Sequence, residues 1–283
     1  MREERAEGER GGAPGASSPP GDPLTDDAIA GDFRVLQRVR GHRYSLDDVA
    51  TAWEAANEAP GARRVLDLGC GLGSVTIMLA YRLPGAQIAA IEAQDVSHDL
   101  AVRNVSRNGL SDRVEVHHGD LRDPALTSRW GATFDLVTGT PPYFDPRKSS
   151  PSTDAQRTYA RIEMRGGIEA YLEAGARALA PAGRMVVCGD ARRPDRAEAG
   201  AAAAGLRLLS RRDVVPREGQ PALFSIWVAA REGTGPLEVR APIVARDAEG
   251  ARLPIQRTLR AFFGLSSPEH EAPSPRVRER RAR

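Results

Sequence analysis

The chain has 283 residues, of which 41% are hydrophobic and 28% are charged, and its formal net charge is +2. This length suffices for one large α/β domain with a substantial core. The balanced charge excludes a uniformly basic nucleic-acid-binding protein. No stretch approaches the roughly 18 consecutive apolar residues of a membrane span, and the charged segment 1–10 does not resemble a secretory signal, so we expect no membrane association.

The two cysteines, Cys70 and Cys188, stand in separate apolar segments. The chain has no Cys-x-x-Cys pair and no cluster of cysteines with histidines. Such spacing argues against both a disulfide scaffold and a zinc site. We therefore expect a reduced, cytoplasmic protein that binds no metal.

Both ends of the chain are predicted to be disordered. Residues 1–23 are rich in Gly, Pro, Arg and Glu and contain too few apolar side chains to offset the entropy of ordering. Residues 266–283 are rich in Pro and Arg, and the same reasoning applies to them. The sequence thus predicts a disordered tail at 1–23, one domain at 24–265, and an Arg-rich disordered tail at 266–283.

The predicted elements of the domain begin with a helix. Ser45 fits its N-cap. Asp48 lies where an acidic side chain can accept a hydrogen bond from the backbone N–H of the N-cap residue. Strand and helix patterns then alternate, which predicts a doubly wound, mostly parallel α/β sheet whose last two strands form an antiparallel pair at one edge. The predicted strands are 64–68, 87–92, 114–118, 134–139, 184–189, 206–215 and 222–230. The predicted helices between them are 74–83, 96–108, 167–180 and 191–205.

The most specific motif is Val65–Gly73, which joins the first of these strands to a helix. Its acid and its three glycines are Asp67, Gly69, Gly71 and Gly73. Glycines let the backbone turn tightly and let a ligand approach closely. The dinucleotide fingerprint is not satisfied, because Ser74 or Thr76 stands where its third glycine is required. An acid two residues before the first glycine suits a cationic ligand better than a pyrophosphate.

This motif resembles that of the class I S-adenosylmethionine-dependent methyltransferases, and the resemblance extends over about Asp32–Ala230. In that family the glycine turn faces the methionine part of the cofactor. An acid at the end of the second strand holds both ribose hydroxyls, and an acid after the third strand contacts the adenine. Glu92 and Asp120 stand at these positions. The resemblance implies a Rossmann-like, seven-stranded fold with S-adenosylmethionine as cofactor.

The fourth strand leads into Thr140, Pro141, Pro142 and Tyr143. This resembles the Asn/Asp/Ser-Pro-Pro-Tyr/Phe motif of methyltransferases that act on planar nitrogens. There the first side chain and the following proline carbonyl accept the N–H groups of the target amine, and the aromatic ring stacks on the base. Two prolines hold this loop rigid. Thr140 departs from the usual Asn, Asp or Ser; its hydroxyl still accepts a hydrogen bond, but which amine is bound stays open.

The segment Val35–Asp47 resembles the bacterial tRNA(Val) adenine-N6 methyltransferases, which often carry Gln, then Gly-x-Arg-x-Ser-x-Asp, before the first sheet strand. In such enzymes the segment closes over the methionine end of the cofactor, which implies cofactor-binding roles for Ser45 and Asp47. Basic side chains flank the expected site and can neutralise phosphates without a globally basic protein. The candidates for RNA binding are Arg43, Arg147, Lys148, Arg157 and Arg161.

We therefore predict an S-adenosylmethionine-dependent N-methyltransferase that methylates adenine N6 in tRNA. Three alternatives stay open: methylation of a protein glutamine, methylation of DNA or a small molecule, and a non-catalytic RNA-binding protein that retains the fold. Glutamine methyltransferases usually carry an N-terminal helical recognition domain, which residues 1–60 are too short to provide. DNA adenine methylation normally needs a target-recognition domain that the sequence does not display. The intact set of cofactor residues argues against a non-catalytic protein.

Overall fold

The computed structural model describes residues 22–266. Within them, a two-stranded antiparallel hairpin comes first, and an eight-stranded sheet with helices on both faces follows. The tails predicted at 1–23 and 266–283 lie outside the described residues, apart from Asp22, Pro23 and Ser266. Along this described part of the chain, no helix is long and apolar enough to cross a membrane.

The elements are numbered in chain order. The strands are β1 (Leu24–Ala30), β2 (Phe33–Arg38), β3 (Arg64–Leu68), β4 (Gln87–Glu92), β5 (Val114–His118), β6 (Phe134–Gly139), β7 (Leu179–Asp190), β8 (Arg207–Val215), β9 (Phe224–Ala230) and β10 (Glu238–Val244). The helices are α1 (Leu46–Glu58), α2 (Ser74–Arg82), α3 (Asp95–Arg107), α4 (Pro124–Ser128), α5 (Ala155–Arg161), α6 (Ile168–Ala178), α7 (Pro194–Ala203) and α8 (Pro254–Phe262).

The large sheet has the strand order β10-β8-β9-β7-β6-β3-β4-β5. Strands β3 to β7 are parallel, whereas β9 is antiparallel to both of its neighbours, β7 and β8. The predicted doubly wound sheet is confirmed. From β3 the chain continues to β4 on one side and later returns to β6 on the other. This reversal opens a crevice beyond the carboxyl ends of β3 and β6, where α/β proteins commonly bind ligands.

All seven predicted strands are present as β3 to β9, and β10 adds an eighth. It pairs in parallel with β8, so β10 holds the edge that we expected the antiparallel pair to form. Its sequence conceals it, because it contains Pro242 and two charged residues, and Val239 is 71% exposed. A proline and charged side chains are tolerated at a sheet edge, where one row of backbone groups faces away from the ladder.

The hairpin β1–β2 was also not foreseen, and it lies against α3. The side chain of Asn104 accepts the Leu36 N–H at 2.7 Å and donates to the Leu36 carbonyl at 3.1 Å. This amide satisfies both backbone groups of Leu36, as a neighbouring strand would. The hairpin therefore holds the segment that follows β2 beside the crevice, and α1 begins at Leu46, as the predicted cap at Ser45 requires.

Alternating side chains of the central strands enter two cores on opposite faces of the sheet. Val65 and Leu136 belong to the core beneath α1, α2 and α8, whereas Leu66 and Val137 belong to the core beneath α6 and α7. This is the pattern of parallel strands that are buried on both faces. Both cores support the strand ends from which the site is built.

Candidate active site

A cleft lies at the carboxyl ends of β3, β4, β5 and β6. The glycine turn after β3 forms its floor, and the loop after β6 forms one wall. An adjoining pocket, lined by residues of α5 and of the loop after β6, shares His42, Pro142 and Ala160 with the cleft. The two spaces are therefore neighbours that meet at the Thr140–Tyr143 loop.

The glycine turn adopts a backbone that only glycine takes without strain. Gly69, Gly71 and Gly73 have φ angles of +60°, +58° and +88°. A Cβ at Gly69 would lie 2.1 Å from the hydroxyl of Tyr171, so this glycine is required for packing. A Cβ at Gly71 would meet no protein atom within 4 Å. Since Gly71 lines the cleft, the space that a side chain would fill there is open to a ligand.

Glu92, at the end of β4, is held from two sides. Its Oε2 accepts the Gly71 N–H at 2.9 Å and its Oε1 accepts the Gln94 N–H at 2.7 Å. The side chain lines the cleft although the residue is only 5% exposed, and burial raises the pKa of its carboxyl group. Each oxygen retains a second lone pair, so the group can accept two further hydrogen bonds from a ligand diol.

Asp67 lies below the cleft and does not line it. It is buried in β3, and its Oδ2 accepts the hydroxyl proton of Thr76 at 2.6 Å. Burial raises the pKa of the Asp67 carboxyl group to about 7. This bond ties the end of β3 to the first turns of α2, so Asp67 shapes the glycine turn from beneath.

Asp120 follows β5 and lines the cleft. The guanidinium of Arg122 donates to its two oxygens at 3.0 and 2.7 Å. These hydrogen bonds lower the pKa of the Asp120 carboxyl group. The carboxylate is therefore ionised and oriented, with lone pairs remaining for an amino group.

The Thr140–Tyr143 loop faces both spaces. Thr140 and Pro142 line the cleft, while Pro142 and Tyr143 line the adjoining pocket, and Pro141 is buried between them in the chain. The Tyr143 ring stacks on Phe224 with ring centroids 6.3 Å apart, and burial raises the pKa of its hydroxyl. The loop thus presents polar groups and an aromatic ring at the junction of the two spaces.

Three polar residues at the start of α1 lie in two different spaces. Ser45 and Asp47 line the adjoining pocket, whereas the next residue, Asp48, lines the cleft. Sequence reasoning had assigned Asp48 only to the helix cap, and this role is confirmed, because its Oδ2 accepts the Ser45 N–H at 3.0 Å. Its Oδ1 accepts the hydroxyl proton of Thr140 at 3.2 Å. Burial, followed by the charge of Asp47, raises the pKa of Asp48 to about 8.

Gln156 of α5 holds the segment from Arg38 to His42 beside the cleft. This role was not predicted from the sequence. Its Oε1 accepts from Arg38 Nη1 at 3.1 Å and from the His42 N–H at 3.2 Å. Its Nε2 donates to Ser97 Oγ on α3 at 3.1 Å. Gln156 is buried, but the sequence of α5 gave no signal of this role.

The predicted RNA-binding side chains divide into two groups. Arg43, Arg157 and Arg161 line the adjoining pocket, whereas Arg147 and Lys148 do not. Arg43 is paired with Asp27 at 2.9 Å, and Arg157 donates to the Arg40 carbonyl at 2.9 Å. Arg161 is exposed and stacks over Phe144, with its guanidinium carbon 5.1 Å from the ring centroid. Arg147 is 84% exposed in its side chain and pairs with Asp145.

Comparison with known proteins identifies the domain. Residues 48–160 match the sequence model of the methyltransferase small domain, and this range contains the glycine turn, Glu92, Asp120 and the Thr140–Tyr143 loop. This part of the chain therefore carries a methyltransferase domain. Within residues 22–266, no group of three or more His, Cys, Asp or Glu side chains in this methyltransferase could hold a metal ion.

Relatives of the methyltransferase domain differ in their substrates. A tRNA1(Val) (adenine(37)-N6)-methyltransferase from Porphyromonas gingivalis is 32% identical over 158 residues, which is 55% of this chain and 61% of the relative. A ribosomal protein uL3 glutamine methyltransferase from Bradyrhizobium diazoefficiens is 34% identical over 129 residues, which is 46% of this chain and 36% of the relative. The chain thus spans less than two thirds of the length of either relative.

A solved structure shows the same fold. A predicted O-methyltransferase from Agrobacterium tumefaciens superposes with a TM-score of 0.60 at 18% sequence identity, covering 78% of this chain and 98% of that chain. At this identity the likeness supports the methyltransferase architecture, and the site must be argued from its own residues.

Proposed function

We propose that this protein transfers the methyl group of S-adenosylmethionine to the N6 amine of an adenine in tRNA. The observation that carries the proposal is the position of the Thr140–Tyr143 loop. It faces the cleft with Thr140 and Pro142 and the adjoining pocket with Tyr143, so a group in the pocket meets the cleft at this loop.

The cleft residues fit the cofactor. Gly71 leaves room for close approach, Glu92 offers two oriented acceptors for the ribose hydroxyls, and Asp120 offers an acceptor for the adenine amine. Gly69 and Gly73 shape the turn, and Asp67 supports it through Thr76. When bound, S-adenosylmethionine supplies an electrophilic methyl group on a positively charged sulfur. Ser45 and Asp47 would stand at the border between this cofactor and the target.

The target amine would be bound by the loop itself. Thr140 Oγ1 and the Pro141 carbonyl would accept its two N–H protons and turn its lone pair towards the cleft. The Tyr143 ring would stack on the purine. The chain then contributes position and hydrogen bonds, and direct attack by nitrogen requires no covalent intermediate with the protein. An unstacked base in an RNA loop enters such a pocket at lower cost than a base in a duplex.

The charge around the adjoining pocket favours RNA over a protein target. Arg43, Arg157 and Arg161 line it, and arginines suit the phosphates that flank a flipped base. The relative from Porphyromonas gingivalis is named for tRNA adenine methylation. Methylation of a protein glutamine is the second candidate, because the relative from Bradyrhizobium diazoefficiens is named for it and its planar amide would use the same acceptors.

The test incubates the full chain and isotope-labelled S-adenosylmethionine with tRNA from a strain that lacks the protein. Nucleoside mass spectrometry should find labelled N6-methyladenosine. Tyr143→Ala should lose about tenfold or more of this activity, and Tyr143→Phe should retain most of it because the stacking ring is kept. A parallel reaction uses the protein fraction of the same strain. Labelled glutamine in place of labelled adenosine would overturn the adenine assignment and support the second candidate.

A further inference from the structure

We infer that Asp48 is a positioning residue for the target amine and that it acts by fixing the hydroxyl of Thr140 as an acceptor. The inference rests on the proposed function and adds a residue that lies outside the Thr140–Tyr143 loop. Asp48 comes from α1, 92 positions earlier in the chain, and the two side chains meet at the wall of the cleft.

The geometry fixes both partners. Thr140 Oγ1 donates its proton to Asp48 Oδ1 at 3.2 Å, while Asp48 Oδ2 is held by the Ser45 N–H at 3.0 Å. Because both carboxylate oxygens are engaged, the carboxylate is held towards Thr140. Asp48 is only 6% exposed, so water does not compete freely for this bond.

The chemistry explains why a threonine needs such a partner. A hydroxyl group carries one proton and two lone pairs, and it rotates to suit its surroundings. An unpaired Thr140 could turn its proton towards the amine, where a donor would face a donor. With the proton committed to Asp48, both lone pairs of Thr140 Oγ1 remain for the amine. Asp48 and Thr140 together would thus supply the acceptor that a single Asn or Asp supplies in the motif that this loop resembles.

The test measures the coupling between the two positions. Asp48→Asn keeps one oxygen for the Ser45 N–H but turns an NH₂ group towards Thr140. Thr140→Val removes the hydroxyl at nearly constant shape. At pH 9, where Asp48 is ionised, we expect each variant to lower kcat for tRNA methylation about tenfold or more. The double variant should lose little beyond either single one, because the two side chains act as a unit.

A second arm uses rescue. Thr140→Asn places an acceptor in the loop that does not depend on a partner proton. In this background, Asp48→Asn should change kcat less than threefold. The affinity for S-adenosylmethionine and the Tm should follow neither the loss nor the rescue, whereas a purely structural role for Asp48 would move the Tm with kcat in every background.

The outcomes separate the two hypotheses. Multiplicative losses in the double variant, or an undiminished effect of Asp48→Asn beside Thr140→Asn, would overturn the inference and leave tRNA methylation in place. A wild-type chain that binds S-adenosylmethionine but methylates no tRNA would instead overturn the proposed function, and the inference with it.

Discussion

Gly71 and Glu92 are joined by a hydrogen bond of 2.9 Å between the backbone N–H of the turn after β3 and the carboxylate at the end of β4. A second N–H, from Gln94, occupies the other oxygen. Two neighbouring strand ends are thereby fastened by one side chain that also faces the cleft. The carboxylate is fixed before any ligand arrives, which reduces the entropy lost on binding.

Glu92→Gln is therefore not a conservative change. Either orientation of the amide points an NH₂ group at a backbone N–H, so one buried donor loses its acceptor. We expect a loss of about 1–3 kcal/mol in the free energy of unfolding and at least tenfold weaker binding of S-adenosylmethionine. Denaturant titration and calorimetry measure the two effects. Glu115→Gln is the matched control, because the Glu115 side chain is 72% exposed; unchanged affinity in Glu92→Gln would contradict the prediction.

Gly71→Ala tests the open space of the glycine turn. The positive φ angle should cost about 1–2 kcal/mol of stability, and the new methyl group should occupy cofactor space, so binding should weaken about tenfold or more. Gly109→Ala is the control, because Gly109 has a φ of +64°, no atom within 4 Å of an added Cβ, and no place in the cleft. It should show a similar loss of Tm with unchanged cofactor affinity. Equal affinities of Gly71→Ala and Gly109→Ala for S-adenosylmethionine would contradict the proposal that Gly71 leaves space for the cofactor.

Asp67 makes the stability of the protein depend on pH. Its pKa of about 7 lies above the ordinary value of 3.8, so between these pH values the folded state binds more protons than the unfolded state. The free energy of unfolding therefore falls as pH rises from about 4 to about 7, and it levels off above pH 7. Asp67→Asn, an isostere of the neutral acid, should be more stable than wild type by on the order of 4 kcal/mol at pH 8 and nearly equal to it at pH 4. Denaturant titration at both pH values checks this, and a destabilised variant at pH 8 would contradict it.

Asp48 should impose an acid limb on catalysis. Its ionised form accepts the Thr140 proton, whereas its neutral form can donate to Thr140 and turn that hydroxyl away from the amine. Since the pKa of Asp48 is raised to about 8, kcat/KM should fall about tenfold per pH unit below pH 8. Initial rates between pH 6 and pH 9 measure the limb. It should be absent in Thr140→Asn, and a limb that persists there would belong to another group.

Arg161 should contribute to RNA binding without affecting the cofactor. It is exposed, it lines the pocket, and its guanidinium lies over the Phe144 ring. Arg161→Ala should weaken tRNA binding several-fold and reduce the slope of log affinity against log salt by about 1, with unchanged affinity for S-adenosylmethionine. Arg64→Ala is the control, since Arg64 lies at the amino end of β3 and lines neither the cleft nor the adjoining pocket. A salt slope equal to that of wild type would remove Arg161 from the RNA-binding surface.

The elements that could be predicted are those with a strong local pattern. Strands β3 to β9 are apolar runs bounded by turns, and the cap at Ser45 is a local exchange between neighbours. The edge strand β10 and the hairpin β1–β2 are stabilised by pairing partners elsewhere in the chain, so their own sequences resemble loops. Propensity cannot report a partner that lies far along the sequence.

The site shows the same contrast between residues with a recognisable sequence motif and residues whose contacts depend on distant parts of the chain. Glu92 and Asp120 were assigned from the resemblance to the methyltransferase motif, and both residues line the cleft after β4 and β5. Asp48 was assigned to the cap alone, and its contact with Thr140 depends on how α1 packs against β6 and β7. Ser45 and Asp47 were expected at the cofactor and instead line the adjoining pocket. A shift of one residue on a helix turns a side chain by about 100°, which sequence spacing alone could not resolve.

The three bonds of the Gln156 amide also bear on how often the enzyme can turn over. They join the segment after β2, helix α5 and helix α3 across one side of the cleft. We expect a spent cofactor that leaves on that side to require the opening of these bonds. We expect these bonds to slow the exchange of cofactor on that side, as a closed loop slows product release in many enzymes.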